Sequence, residues 1–506
     1  MNKIVASFFA RHKFLIFAAL ILSLAYFLTR LFNIMELPLF TDEAIYTRWS
    51  QIARYDASWR FISLTDGKQP SFVWFDMVFM RFITDPLFSG RLVSVFAGFF
   101  GMAGMFFLGK EIFKNTKIGL LSALLYLIYP FTLVYDRMAL YESLITASTV
   151  WGIFFQILLV RRRRLDVALI LGFIMGFGAL TKSNAFFLIY LFPLSLLLFD
   201  WKMKNRIFEL GKWASLALLS TLMTYGFYSV LRLSPFFHII KEKTTIFKYP
   251  FNEWVTHPFE FLQGNLNGLL SWLIEYSTIP LLLLIFASFI VGRKMFVREK
   301  LFLLLWFLIP FVGTALFGRV LYPRFILPMT MTLLILGAYS IYYIWENSKN
   351  RLLAYAVFVL VLTFLIRSDF YVITDLARAP IAKADTDQFA NEWPAGGGVR
   401  EIVAFFREES KDKEIYVATE GTFGSLPTYA TEIYLDEVKN IKKRGIWPTP
   451  AEIPEDLVKK AKTMRVFYVL NDSREAPVGW PVKLIAKYQK GIGNSYMSLY
   501  EVIPNR

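Results

Sequence analysis

Apolar residues in this chain gather in long runs, with little of the strict alternation of a half-buried strand. Runs of membrane-spanning character fall at 14–32, 91–109, 118–134, 141–160, 165–181, 185–199, 213–231, 277–291, 301–317, 325–344 and 352–367. A helix needs about 20 apolar residues to cross roughly 30 Å of hydrocarbon, so the shorter runs are expected to extend into their flanks. The pattern therefore predicts eleven transmembrane helices. Segments 44–56 and 71–83 mix aromatic with charged residues and suit helices lying on a membrane surface. An amphipathic stretch lies near 260–276. Beyond residue 367 the pattern changes to that of a soluble α/β domain. It predicts a helix at 399–409, a strand at 414–419, a helix at 454–463, a strand at 465–470 and a hairpin over 482–488 and 496–503.

Composition agrees with the pattern. Of 506 residues, 56% are hydrophobic and 19% charged, and the mean hydropathy is +0.47. Soluble domains average about 45–50% apolar and about 25% charged. Intrinsic disorder, collagen-like repeats and a disulfide scaffold are excluded. With no cysteine, disulfides, thiolate metal sites and cysteine nucleophiles are excluded as well.

The net charge of +16 does not mark a nucleic-acid protein. Residues 1–367 hold 36 Lys/Arg against 19 Asp/Glu, whereas residues 368–506 hold 19 against 20. The excess belongs to the membrane part, where it sets orientation. With the N-terminus in the cytoplasm, the inside segments hold 20 Lys/Arg and the short outside loops four: Arg137, Lys182, Arg319 and Arg324. Eleven spans then put the C-terminus outside. The expected organisation is a membrane domain, 1–367, with a first outer loop at 33–90 and a second at 232–276, followed by an extracytoplasmic soluble domain, 368–506. The basic start and first apolar run read as an uncleaved helix, because no small-x-small site follows. The location is a multi-pass place in the cell membrane.

Ionisable residues near a membrane boundary cost desolvation energy and mark cavities or function. Eight stand out at the expected outer side: Asp42, Glu43, Lys68, Arg91, Arg137, Glu142, Lys182 and Arg324. Five cations suit a phosphate or pyrophosphate, and the acids suit a general base.

These residues sit in short motifs: Phe40-Thr41-Asp42-Glu43-Ala44, Lys68-Gln69-Pro70, Ser89-Gly90-Arg91-Leu92, Arg137 to Glu142, Leu180-Thr181-Lys182 and Tyr322-Pro323-Arg324-Phe325. Their order, spacing and expected topology over residues 1 to about 345 resemble the C-type glycosyltransferases. The protein O-mannosyltransferases and the lipid A aminoarabinose transferases are the nearest groups. The resemblance implies an inverting transfer of a sugar from a polyprenyl-phosphate donor to a protein, lipid or glycan acceptor outside the cytoplasm. It implies Asp42 as general base with Glu43 beside it, and Lys68, Arg91, Lys182 and Arg324 as holders of the donor phosphate. Arg137 and Glu142 match an Arg-x4-Asp motif with Glu in place of Asp. Gln69 departs from the Pro-Pro that usually follows the lysine, which touches that loop's geometry. The soluble domain does not resemble the sugar-binding repeats of eukaryotic protein mannosyltransferases.

Plainer readings compete. Thr41 or Asp42 could cap the helix over 44–56. Arg91, Lys182 and Arg324 could anchor helix ends at lipid headgroups. No cofactor is expected; a divalent metal would have His238 and His257 as candidate ligands, with Glu253 or Glu275. Asp385-Thr386-Asp387 imitates the Asp-x-Asp of nucleotide-sugar enzymes, but lies where nucleotide sugars are absent. The functional alternatives to an enzyme are a flippase or transporter for lipid-linked glycans, and a non-catalytic family member. A flippase needs charge along a path through the bilayer, whereas these charges collect at one face.

Overall fold

The computed structural model describes residues 2–421, 426–471 and 475–504. Every predicted apolar run coincides with a helical element. Among the described residues seven helices are long and apolar enough to cross a membrane: Lys13–Glu36, Pro86–Phe113, Glu142–Arg162, Arg206–Leu233, Val297–Phe317, Leu327–Asn347 and Ala354–Thr374. Two further runs are broken pairs, Thr116–Leu127 with Pro130–Asp136 bent by 61°, and Leu262–Ser277 with Ile279–Ala287 bent by 97°. The last two, Leu165–Thr181 and Ser183–Leu198, are shorter apolar helices. The protein is a multi-pass membrane protein.

The breaks have local causes. Pro130 opens its helix at a position where no amide donor is needed. Thr278 takes φ 62° just before Pro280. The run 277–291, expected as one span, is therefore a nine-residue helix turned sharply from its predecessor. Helices Glu142–Arg162 and Leu327–Asn347 are the centre of the bundle, with 83% of each apolar window buried, against 11% for Lys13–Glu36. Near the end of the bundle that carries the soluble domain, Arg30 and Asp136 form a buried pair at 3.4 Å. Tyr26, Tyr126 and Ser143 donate to the same carboxylate.

The soluble domain holds a five-stranded sheet of β1 (Ile415–Glu420), β2 (Ile441–Ile446), β3 (Arg465–Leu470), β4 (Val482–Gln489) and β5 (Tyr496–Val502). The order is β2-β1-β3-β5-β4. The β2-β1-β3 part is parallel, and β5 and β4 add antiparallel. Helix Val399–Glu409 lays Ile402, Val403 and Phe406 on the sheet. Helix Thr428–Leu435, β2 and the short helical turns Leu376–Arg378, Lys383–Thr386 and Asp387–Asn391 lie beyond the predicted set. Edge strand β2 reads Ile-Lys-Lys-Arg-Gly-Ile, and its charges hide a strand signal while protecting a free edge.

The surface helices exist at Thr41–Tyr55 and Ser71–Phe79, but they do not lie bare on lipid. Trp49, Phe72 and Val73 are fully buried. The opposite face of Thr41–Tyr55 binds the soluble domain. Arg48 pairs with Glu432 at 3.1 Å and Asp436 at 2.8 Å, Gln51 donates to the Ile433 carbonyl, and Tyr55 donates to Glu437. The helix is clasped between the two parts of the protein.

Candidate active site

Five backbone segments bring charged side chains together at one end of the bundle. Asp42 sits in the first turn of helix Thr41–Tyr55. Lys68 follows Gly67, whose φ of 65° reverses the chain as only glycine does readily. Glu142 opens helix Glu142–Arg162, and Lys182 caps helix Leu165–Thr181 from extended backbone. Arg324 lies in the single turn Pro323–Phe325 before the central helix Leu327–Asn347.

The contacts are direct. Arg324 Nη2 is 3.1 Å from Asp42 Oδ2, and Arg324 Nε is 3.9 Å from Glu142 Oε1. Lys182 Nζ donates to Glu142 Oε1 at 2.6 Å. Aromatic rings flank each cation: Tyr322 at 4.7 Å and Phe40 at 5.7 Å from the Arg324 guanidinium, Phe325 at 5.2 Å from Lys182, and Phe247 at 5.5 Å from Lys68. Gln69, the departure from the family pattern, donates to Ser183 Oγ at 2.7 Å, and Ser71 donates to Thr181 at 2.9 Å. These bonds stitch the Lys68 loop to the Lys182 turn, so the glutamine helps to hold two cations side by side.

Burial by itself would raise the Asp42 carboxyl, but Arg324, then Lys68 and Lys182, outweigh it and hold it below its ordinary value. Burial pulls the Lys68 ammonium below its ordinary value, with Asp42 opposing. For Arg324 the burial penalty is exceeded by Asp42 and Glu142, and the guanidinium is held more firmly protonated than usual.

Lys68, Glu142, Lys182 and Arg324 line the polar end of a cavity of about 710 Å³. Its other arm is apolar, walled by Trp306, Ile309, Pro310, Gly313 and Phe317 along one helix and by Phe187 and Met329. Asp42 meets the cavity through Arg324 and keeps 22% of its side chain exposed.

The remaining predicted residues lie elsewhere. Glu43 and Arg91 form a bidentate pair, Nε to Oε1 at 2.9 Å and Nη2 to Oε2 at 2.8 Å, both fully buried. Arg91 also donates to the carbonyls of Ile34, Leu37 and Pro38. Glu43 accepts the Phe40 and Ala139 amides. Glu43 thus reaches back to the residue that caps its helix, while Asp42 does no capping. Arg137 donates to the Thr29 carbonyl at 2.7 Å and is buried. None of Glu43, Arg91 and Arg137 lines the cavity. His238 contacts the Pro235 carbonyl and His257 contacts Thr256. Among the described residues no group of three or more His, Asp or Glu is placed to hold a metal.

Tyr46 and Tyr141 also line the cavity, and nothing in their sequence surroundings distinguishes them from ordinary core tyrosines. Asp385 of the Asp-x-Asp pair is buried and accepts hydrogen bonds from Tyr135, at 2.7 Å, and Tyr276. Burial pushes its carboxyl up to about 7.

The arrangement matches solved structures over nearly its whole length. The crystal structure of ArnT from Cupriavidus metallidurans in the apo state aligns with a TM-score of 0.57, covering 97% of this chain and 98% of that one at 14% identity. The chain has the C-type glycosyltransferase fold. The same ArnT bound to undecaprenyl phosphate aligns with a TM-score of 0.58 over the same shares at 14% identity. Residues 67–225 match the family described as dolichyl-phosphate-mannose-protein mannosyltransferase. That stretch runs from the Lys68 loop through Arg91, Glu142 and Lys182. No curated protein matches the sequence at a significant level. The resemblance read from the motifs is thereby borne out at the level of the fold.

Proposed function

We propose that this C-type fold transfers a sugar from a polyprenyl-phosphate donor to a hydroxyl-bearing acceptor, with inversion, on the side of the membrane that carries the soluble domain. The observation that carries the reading is the Asp42–Arg324–Glu142–Lys182 cluster at the polar end of a cavity whose other arm is apolar. The apolar arm suits a polyprenyl tail and the polar end its phosphate. Undecaprenyl phosphate binds ArnT, a protein of the same fold.

The charges fit this ligand. Lys68, Lys182, Lys243, Lys248 and Arg324 outnumber Asp42, Asp66 and Glu142 at and beside the cavity, a net positive charge that suits an anionic phosphate. In the transfer, the acceptor oxygen attacks the anomeric carbon as its proton passes to Asp42. The bond from that carbon to the phosphate oxygen breaks, and polyprenyl phosphate leaves with the electron pair. Cations fixed at the leaving oxygen stabilise the charge that grows there. Arg324 can offer parallel hydrogen bonds, whereas Lys68 and Lys182 act as point charges.

The test offers the purified protein a panel of polyprenyl-phosphate sugars with candidate acceptors and measures release of polyprenyl phosphate. Release with at least one donor supports the reading. Binding of the lipid without release from any donor would point instead to a lipid-linked glycan handler.

A further inference from the structure

The soluble domain reaches the candidate base through one short strap, residues 392–396. On the domain side, the Trp393 carbonyl accepts Asn471 Nδ2 at 3.1 Å and Lys490 Nζ at 2.7 Å, and Glu392 accepts Ser495 Oγ at 2.7 Å. Asn471 directly follows β3 and Lys490 directly follows β4, so the strap is tied to the sheet itself. On the membrane side, the Pro394 carbonyl accepts both the Thr41 amide, at 3.0 Å, and the Thr41 hydroxyl, at 2.9 Å. Ala395 pairs antiparallel with Phe40. At Gly396 a Cβ would lie 2.5 Å from the Leu39 carbonyl oxygen. Three successive strap residues therefore hold Leu39, Phe40 and Thr41, and the next residue is Asp42.

The same segment is held from below by the buried Glu43–Arg91 pair. The Phe40 ring lies between Phe389 of the soluble part, at 4.9 Å, and the Arg324 guanidinium, at 5.7 Å. Asp42 leaves this sandwich at its edge and meets Arg324.

We infer that the strap 392–396 is a positioning element for Asp42, so that the soluble domain sets the geometry of transfer. The inference rests on the reading of Asp42 as the base. Small displacements of a reacting group cost large factors in rate, and the strap touches the residues whose path fixes that group.

The test uses the full-length protein with Gly396→Ala, Thr41→Val and Thr41→Ser. Three quantities are measured: kcat per folded molecule, binding of polyprenyl phosphate, and amide hydrogen exchange over residues 39–44. Gly396→Ala should lower kcat roughly 10- to 100-fold, leave polyprenyl phosphate binding within a factor of about two and raise exchange over 39–44. Thr41→Val should shift kcat and exchange in the same direction, and Thr41→Ser, which keeps the hydroxyl, should restore both. A strap that only adds stability would lower the melting temperature while kcat per folded molecule and exchange over 39–44 stay as in wild type; that result overturns the inference. If the wild-type protein transfers no sugar, the functional reading falls, and the exchange measurement still decides whether the strap holds the Asp42 turn.

Discussion

Arg324 Nη2 and Asp42 Oδ2 stand 3.1 Å apart, so the candidate base is tied to a cation that the proposed transfer also assigns to the donor phosphate. Lys182 is tied in the same way to Glu142. On the proposed function, an arriving phosphate would exchange these carboxylates for its own oxygens and so release Asp42 toward the acceptor.

Asp42→Asn should reduce turnover by ~100-fold or more, the scale of general-base catalysis. Polyprenyl phosphate should bind at least as well as to wild type, because Arg324 loses its competitor. Since Glu43, not Asp42, reaches back to the Phe40 amide, no helix cap is lost, and the melting temperature should fall only by what the Arg324 pairing adds to the folded state. A transfer assay, a lipid-binding titration and a thermal melt on one preparation check all three. Near wild-type turnover would move the base to Glu142, the other carboxylate of the cluster.

Lys182→Ala and Arg324→Ala each remove a charge-assisted contact to phosphate, a loss of ~1.5–3 kcal/mol. Polyprenyl phosphate affinity should fall by roughly 10- to 100-fold in each, as read by direct binding. Arg324→Lys should recover only part of the loss, because an ammonium cannot face Asp42 and Glu142 together as the guanidinium does. Unchanged affinity in both alanine variants would make these residues headgroup anchors.

Glu43→Ala leaves the Arg91 guanidinium buried without its anion. Breaking such a pair costs ~3–5 kcal/mol, so the expected effect is a large drop in thermal stability. Arg91→Ala should match it, and the double variant should cost less than the sum of the two. A melt of the three variants checks this double-mutant cycle. Additive losses would show that the two residues act apart.

Much of the membrane part was legible because a bilayer imposes length and polarity rules that leave a strong imprint on sequence. All eleven apolar runs became helical elements. What stayed hidden were the bends, since a 97° turn after Ser277 needs only one residue of positive φ. The cluster was half legible. Motif order picked out Asp42, Lys68, Glu142, Lys182 and Arg324, which do meet. It could not separate them from Glu43 and Arg91, because adjacent residues on a helix point in different directions: Asp42 toward Arg324, Glu43 into the bundle. Asp385 shows the opposite failure. A polar linker hid a carboxylate that is buried against two tyrosines contributed by distant helices.

The pH dependence distinguishes the free protein from its donor complex. Burial pulls the Asp42 carboxyl up, but Arg324 and the two lysines outweigh it and hold it below its ordinary value. A carboxyl depressed on folding adds stability that is present above its unfolded value and is lost as pH falls through its folded value. Asp42 should therefore favour the folded state through the neutral range and stop doing so only below pH ~4, the ordinary carboxylate range. For catalysis, kcat/KM for the donor reports the free enzyme and kcat reports the donor complex. The acid limb of kcat/KM due to Asp42 should lie below the ordinary carboxylate value. On the proposed function, the phosphate in the complex would draw Arg324 and both lysines toward itself and add its own negative charge near Asp42. The carboxyl would then lose the partners that depressed it, and the acid limb of kcat should move to higher pH than that of kcat/KM. Steady-state rates measured between about pH 2.5 and 8, at saturating and at limiting donor, decide the matter. Coincident acid limbs would mean that Arg324 keeps its hold on Asp42 while the donor is bound, and the exchange of partners would have to be abandoned.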